Sequence, residues 1–239
     1  MPRSCKETFS WRYRPLYQTL DDDAYYDRPG FGPEKAHKCH SRQYDQAGWN
    51  NLVHTPIIDA ATKDVGHGIG HWHLDFMPCE RAAVAPSYER ELAVRPRVDY
   101  MFFMVPYSDD GKGLLNLHST LDEITNFTNY RPIYKYPINL SIKSKDPHAQ
   151  WKHLGLAIGD EIAQLEFMPG IIVEGHEWKF VATTFQDGKV TLWSSLSIGS
   201  TTTQLGVLRI MASIKETSKW ILNEFWPWYK ANGLDWLMR

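Results

Sequence analysis

Cysteine is scarce in this chain: Cys5, Cys39 and Cys79 are the three found among 239 residues. Their odd number, their wide spacing and the lack of any Cys-x-x-Cys pair argue against a disulfide framework and a zinc ribbon, so they are expected to be ordinary thiols. No apolar run approaches the roughly 18 residues that identify a bilayer span, and no membrane partner is expected. The N-terminus has no basic stretch followed by an apolar segment, which makes an intracellular location, cytoplasmic or nuclear, the expected one. A Gly-rich phosphate loop, a haem signature and a Ser-His-Asp order at workable spacing are also missing. Gly66-His67-Gly68 lacks the strand before it and the helix after it that a dinucleotide loop requires. No cofactor is expected on these grounds.

Excess positive charge is absent as well. Lysine and arginine total 26 against 28 acidic residues, giving a net charge of -2 and a pI near 6.5. Affinity for nucleic acid comes mainly from cationic side chains that displace counterions from phosphates. The densest basic stretches, 35–42 and 143–152, are short and interleaved with His, Asp and Gln, so nucleic acid is not the expected partner. What the chain does have is a 43% hydrophobic and 13% aromatic composition, enough to bury one full core without staples.

Residues 1–42 are rich in Tyr, Pro and charge, including Asp21-Asp22-Asp23 and Pro29-Gly30-Phe31-Gly32-Pro33, and read as an irregular arm. Residues 43–239 read as one domain. Within it Trp49, Leu52, Val53, Ile57 and Ile58 fall at helical spacing, with Pro56 expected to kink or interrupt the helix. Residues 98–105 form a nearly continuous apolar run, as a buried strand does, with a hairpin turn expected at Asp109-Asp110-Gly111. Residues 138–142 give a further strand. A helix is expected over 148–167, ended by Pro169-Gly170. Strands follow at 171–173, 178–185 and 190–195, the last two joined through Asp187-Gly188. Ser200-Thr201-Thr202 offers N-cap hydroxyls to a long helix, and Trp226-Pro227-Trp228 marks its end or a kink.

Two clusters could carry chemistry. In His67-Gly68-Ile69-Gly70-His71-Trp72-His73, His71 and His73 would share one side of an extended strand and could act as acid and base or bind a metal. No third ligand follows at a recognised spacing, so a loop over a pocket is the plainer reading. His54 and His176, beside abundant Trp and Tyr, could line an aromatic cavity for a hydrophobic organic ligand. The competing reading is that His54 and Trp49 pack the first helix.

Several separated segments carry a resemblance. Trp49-Asn50-Asn51-Leu52-Val53-His54-Thr55-Pro56-Ile57-Ile58, Arg97-Val98-Asp99-Tyr100 and Asn126-Phe127-Thr128-Asn129-Tyr130 are three of them. Ser141-Ile142-Lys143-Ser144-Lys145, Gly175-His176-Glu177-Trp178, Ile198-Gly199-Ser200-Thr201, Leu205-Gly206 and Trp226-Pro227-Trp228 follow in order. Together they resemble the fungal PD-(D/E)XK nuclease-like domain family over roughly residues 43–232. The resemblance implies an α/β, restriction-endonuclease-like central mixed β-sheet flanked by helices. It also implies that Asp99 and Lys145 occupy the family's Asp and Lys positions, and that Lys143 stands where the family pattern Ser-Ile-Glu-Thr-Lys has its Glu. An ammonium in place of a carboxylate changes such a site by about two charge units, against what a hard divalent cation needs.

The expected function is therefore a degenerate nuclease-like protein acting without metal on a small hydrophobic organic molecule, as a cyclase, isomerase or lyase. Some members of the family accompany secondary-metabolite genes. Asp99 and Lys145 would be acid and base, with Lys143 or the loop histidines His71 and His73 stabilising negative charge, and His54, Tyr100 and His176 contacting substrate. One alternative is a Mg²⁺ or Mn²⁺ nuclease with a migrated acid, its ion held by Asp99 with one of Asp45, Asp146, Asp160 or Glu161. Another is a non-catalytic interaction module.

Overall fold

A strand without a polar side has to be covered on both faces, and the run Tyr100-Met101-Phe102-Phe103-Met104 is: all five side chains are buried. They belong to β2 of a computed structural model that describes residues 32–63, 65, 72–79, 82, 98–106, 128, 130–144, 165–186 and 189–234. The strands are β1 (Trp72–Pro78), β2 (Tyr100–Pro106), β3 (Ile138–Ser144), β4 (Met168–Glu174), β5 (Glu177–Gln186) and β6 (Lys189–Ser200). They form one mixed sheet in sequence order, antiparallel throughout except for the parallel pair β3–β4. A parallel neighbour requires a crossover, here residues 145–167, of which 165–167 are described.

The helix expected over 148–167 thus lies almost wholly outside the described residues, as do the hairpins at 109–111 and 187–188. Pro169-Gly170, read as that helix's end, is instead inside β4. Pro169 precedes Gly170, the first residue of β4 in register with β3, so the proline removes no rung from the parallel ladder. β1 was not foreseen as a full strand. Its upper half pairs His73 with Val105 and its lower half pairs Pro78 with Tyr100.

One face of the sheet presents Tyr100, Phe102, Leu140, Ile142, Val173 and Trp178 to the main core, which the helices cover. The other presents Met101, Phe103 and Ile138 to a second cluster. The helical layer begins earlier than expected, with α1 (Pro33–Ser41). Gly32, at φ 114°, turns the chain into it, and Pro33 suits the first helical turn, where its missing N–H has no partner to lose. Ala36 and Cys39 are fully buried in the main core, so residues 33–41 are part of the body and not of an irregular arm.

The interruption expected at Pro56 takes a particular form. α2 (Gln46–Trp49) runs into a π-helical turn (Asn50–His54) and then α3 (Thr55–Thr62), with the Thr55 N–H reaching back to Asn50 O. A proline ring collides with the carbonyl four residues earlier, and widening the preceding turn makes room for it. The same device recurs after α4 (Gln204–Trp220). The turn Ile221–Phe225 is π-helical, Trp226 N–H bonds Ile221 O, and Pro227 follows inside α5 (Trp226–Tyr229). Trp226-Pro227-Trp228 therefore continues the helix.

α4 starts one residue beyond the expected hydroxyls: Thr203 is the N-cap, accepting from Gly206 N–H at 3.0 Å. Replacing Thr203 by Ala should lower stability by about 1 kcal/mol in chemical denaturation, the usual effect of losing such a cap. An unchanged midpoint would show that the cap carries no weight here. Gly206 itself permits close docking of α4 on β6, since a Cβ there would lie 2.0 Å from Ser200 O.

Candidate functional site

The C-terminal ends of parallel strands are where open α/β sheets place their ligands, and here β3 and β4 are the parallel pair. Asp99, immediately before β2, is tied to that end. Its N–H donates to Ile142 O at 2.9 Å and its C=O accepts from Cys79 N–H at 2.8 Å. Its carboxylate is buried, and Oδ2 accepts from Ser144 N–H at 2.6 Å and from Ser144 Oγ at 3.1 Å. Lys143 Nζ stands 3.9 Å from the same oxygen, with both side chains largely withdrawn from water. The carboxylate thus closes the end of β3 as well as facing an ammonium. Hydrogen bonds to a charged group contribute about 1.5–3 kcal/mol each, so this clip is a substantial local anchor.

Ser144 also lines a cleft of about 40 Å³, together with Gln46, Trp49, His54, Val173 and Gly175. His54 is buried, and its Nδ1 lies 2.9 Å from Asn50 Oδ1. Its ring meets Trp178 edge-on at 5.4 Å and Trp49 at 5.8 Å. Burial alone drives its pKa down to about 3, so the imidazole is neutral at physiological pH. His176, in the turn between β4 and β5, bonds Thr201 Oγ1 through Nδ1 at 2.8 Å and sits against Trp49 at 5.1 Å and His40 at 5.0 Å. Burial, then His40, lowers its pKa, with Glu177 opposing and His37 adding a smaller push down.

The profile of the PD-(D/E)XK nuclease superfamily matches residues 33–226. The chain belongs to that superfamily. No curated protein and no solved structure matches it. The mixed sheet with flanking helices is the restriction-endonuclease-like architecture of the superfamily, and Asp99 and Lys143 meet at the ends of its strands.

Superfamily nucleases use a divalent ion, and the described residues do not fit one at this position. Magnesium needs a near-octahedral set of oxygens. Here Asp99 Oδ2 is engaged by two Ser144 donors and faced by an ammonium. Among the described residues no group of three His, Cys, Asp or Glu side chains is gathered for a metal. Asp45 is exposed and caps α2, accepting from Gly48 N–H at 2.9 Å. Lys145, Asp146, Asp160 and Glu161 lie outside the described residues.

The histidines expected beside Asp99 do not all come together. His73 pairs with Val105, six residues along β2 from Asp99, or roughly 20 Å at about 3.3 Å per residue. It is therefore not a partner of the Asp99 carboxylate, and His71 lies outside the described residues. Tyr100 is fully buried and bonds Thr55 Oγ1 at 2.9 Å and Asn50 O at 3.2 Å, which makes it a tie between β2 and the first helical segment and not a substrate contact. His54 lines the cleft, as expected, but as a buried neutral ring.

Sequence reading missed Gln46, Ser144, Asn139 and Ser141. The β3 side chains alternate, and a register shift opposite Phe102/Phe103 falls beside Asn139. Asn139 and Ser141 are fully buried, yet Asn139 Oδ1 and Nδ2 and Ser141 Oγ have no hydrogen-bond partner among the described residues. The signal available was two polar residues in an otherwise apolar strand, Ile138-Asn139-Leu140-Ser141-Ile142.

Proposed function

We propose that this PD-(D/E)XK superfamily protein works without a divalent ion and performs acid–base chemistry, of cyclase, isomerase or lyase type, on a small hydrophobic organic molecule. The observation that carries the reading is the ion pair: Lys143 places a fixed positive charge 3.9 Å from Asp99 Oδ2, in the role a metal would otherwise fill. A cation held there can stabilise an enolate or alkoxide as it forms, while a carboxylate and the lysine at 145 exchange protons with the substrate. The net charge of -2 supports a partner other than nucleic acid.

A second reading, a non-catalytic interaction module, is favoured by the commitment of Asp99 Oδ2 to two hydrogen-bond donors and a facing ammonium, which leaves that oxygen little freedom to take a proton. The nuclease reading, with Asp99 and Asp45, Asp146 or Glu161 holding Mg²⁺ or Mn²⁺, makes the opposite prediction about metal. Calorimetric titration of the metal-stripped full chain with Mn²⁺, with Asp99→Asn as control, is expected to show no heat that depends on Asp99. Tight binding abolished in the variant would overturn the metal-free reading and restore the nuclease. Dialysis of the protein against a cell-metabolite extract, followed by mass spectrometry, is expected to retain a small molecule. Retention of none would favour the interaction module.

A further inference from the structure

The cleft beside Ser144 is lined mainly by apolar surface, and its few polar atoms are therefore specific. Gln46 and His54 both line it, and each has one buried polar atom, Gln46 Nε2 and His54 Nε2, with no hydrogen-bond partner among the described residues. Native proteins rarely leave such atoms unmatched, so a mate belongs there. The chemistry of the two atoms differs. The carboxamide nitrogen can only donate. The imidazole is neutral and gives its one proton from Nδ1 to Asn50 Oδ1, which leaves Nε2 with a lone pair and makes it an acceptor.

The mate must therefore accept one hydrogen bond and donate another. An inorganic anion would satisfy Gln46 and leave the His54 lone pair facing negative charge. A metal ion would take the lone pair and repel the carboxamide protons. A single hydroxyl oxygen satisfies both. The size permits it, since about 40 Å³ is open to the centre of a water-sized sphere and roughly 10–15 Å³ is enough to hold one water. Ser144 cannot fill the role through its proton, because Oγ already donates to Asp99.

We infer that this cleft binds one neutral hydroxyl group, either a water molecule or the O–H end of an organic ligand, held between Gln46 Nε2 and His54 Nε2. The inference goes beyond the Asp99–Lys143 reading and stands whether or not that reading survives. Its consequence is a recognition element for alcohols at the β3–β4 strand ends, with Val173 and Trp49 in the same lining to receive the attached carbon.

The test is a high-resolution crystal structure of the full chain, native and soaked with methanol. The expected native result is one oxygen within about 2.7–3.2 Å of both nitrogens. Replacement of that oxygen by methanol, with its methyl toward Val173 or Trp49, would identify an alcohol site, and a water that methanol does not displace would identify a structural water. An empty cleft, or an atom bonded to neither nitrogen, overturns the inference. Nitrogen-15 NMR of the unmodified protein gives an independent reading that requires no variant to fold. His54 should show a protonated Nδ1 and an unprotonated Nε2, and a protonated Nε2 would overturn the proposal. Gln46→Met should lose the oxygen from the crystal structure while keeping the His54 tautomer.

Discussion

As pH falls from 6.5 toward 3, the wild-type protein should lose stability faster than a His54→Phe variant, by about 1.4 kcal/mol per pH unit. His54 is 3% exposed, and burial lowers its pKa from 6.5 to about 3. Because the folded value lies below the unfolded one, the unfolded chain binds the extra proton through this window. Stability therefore rises with pH, is fully present above 6.5 and is lost as pH falls toward 3. The accumulated difference is on the order of 3–5 kcal/mol, a large share of the stability of a domain this size. Phenylalanine keeps a ring against Trp49 and Trp178 but cannot titrate. His176 is shifted in the same direction but is present in both proteins, so it cancels in the comparison. Urea unfolding at stepped pH reads the effect directly. Parallel stability curves for the two proteins would mean that His54 opens to water well before the fold gives way.

How much of this was legible in the sequence depended on whether local pattern and tertiary position agreed. β2 was readable because an apolar run buried on both faces has few other structures available to it. The first helical segment was readable from the spacing of Trp49, Val53 and Ile57, and its break from Pro56, although nothing local distinguishes a π-helical widening from a kink. β4 was only half readable. Pro169-Gly170 is a stop signal everywhere except at the edge of a ladder, and where the ladder begins is set by β3, far away in sequence. The site divided in the same way. Asp99 and Lys143 came from a resemblance between motifs. Ser144 did not, because its role is to lend a backbone N–H and a hydroxyl to a carboxylate 45 residues upstream. His73 was misplaced for the converse reason: proximity to Asp99 depends on the β1–β2 register, which the sequence of neither strand states alone.

Lys143→Glu should convert the Asp99 site into one that binds Mn²⁺, tightening Asp99-dependent affinity by about 10³-fold. The estimate follows from Coulomb's law: a unit charge about 4 Å away contributes roughly 4 kcal/mol in a medium of effective dielectric near 20, and partial exposure of Lys143 takes something from the full two-charge change. The substitution removes a cation that repels the ion and supplies a second carboxylate oxygen donor beside Asp99, the beginning of a hard-cation site. Lys143→Gln separates these contributions, since it removes the repulsion without adding an anionic ligand, and it should gain only about 10-fold. Calorimetry on the three proteins, each repeated with Asp99→Asn, measures both steps. A Lys143→Glu protein that binds Mn²⁺ no better than wild type would show that the obstacle is the clip, since Ser144 N–H and Oγ still hold Oδ2. A gain of the expected size would show that one charge reversal at residue 143 separates this chain from metal chemistry, and that the ammonium is what keeps the ion out.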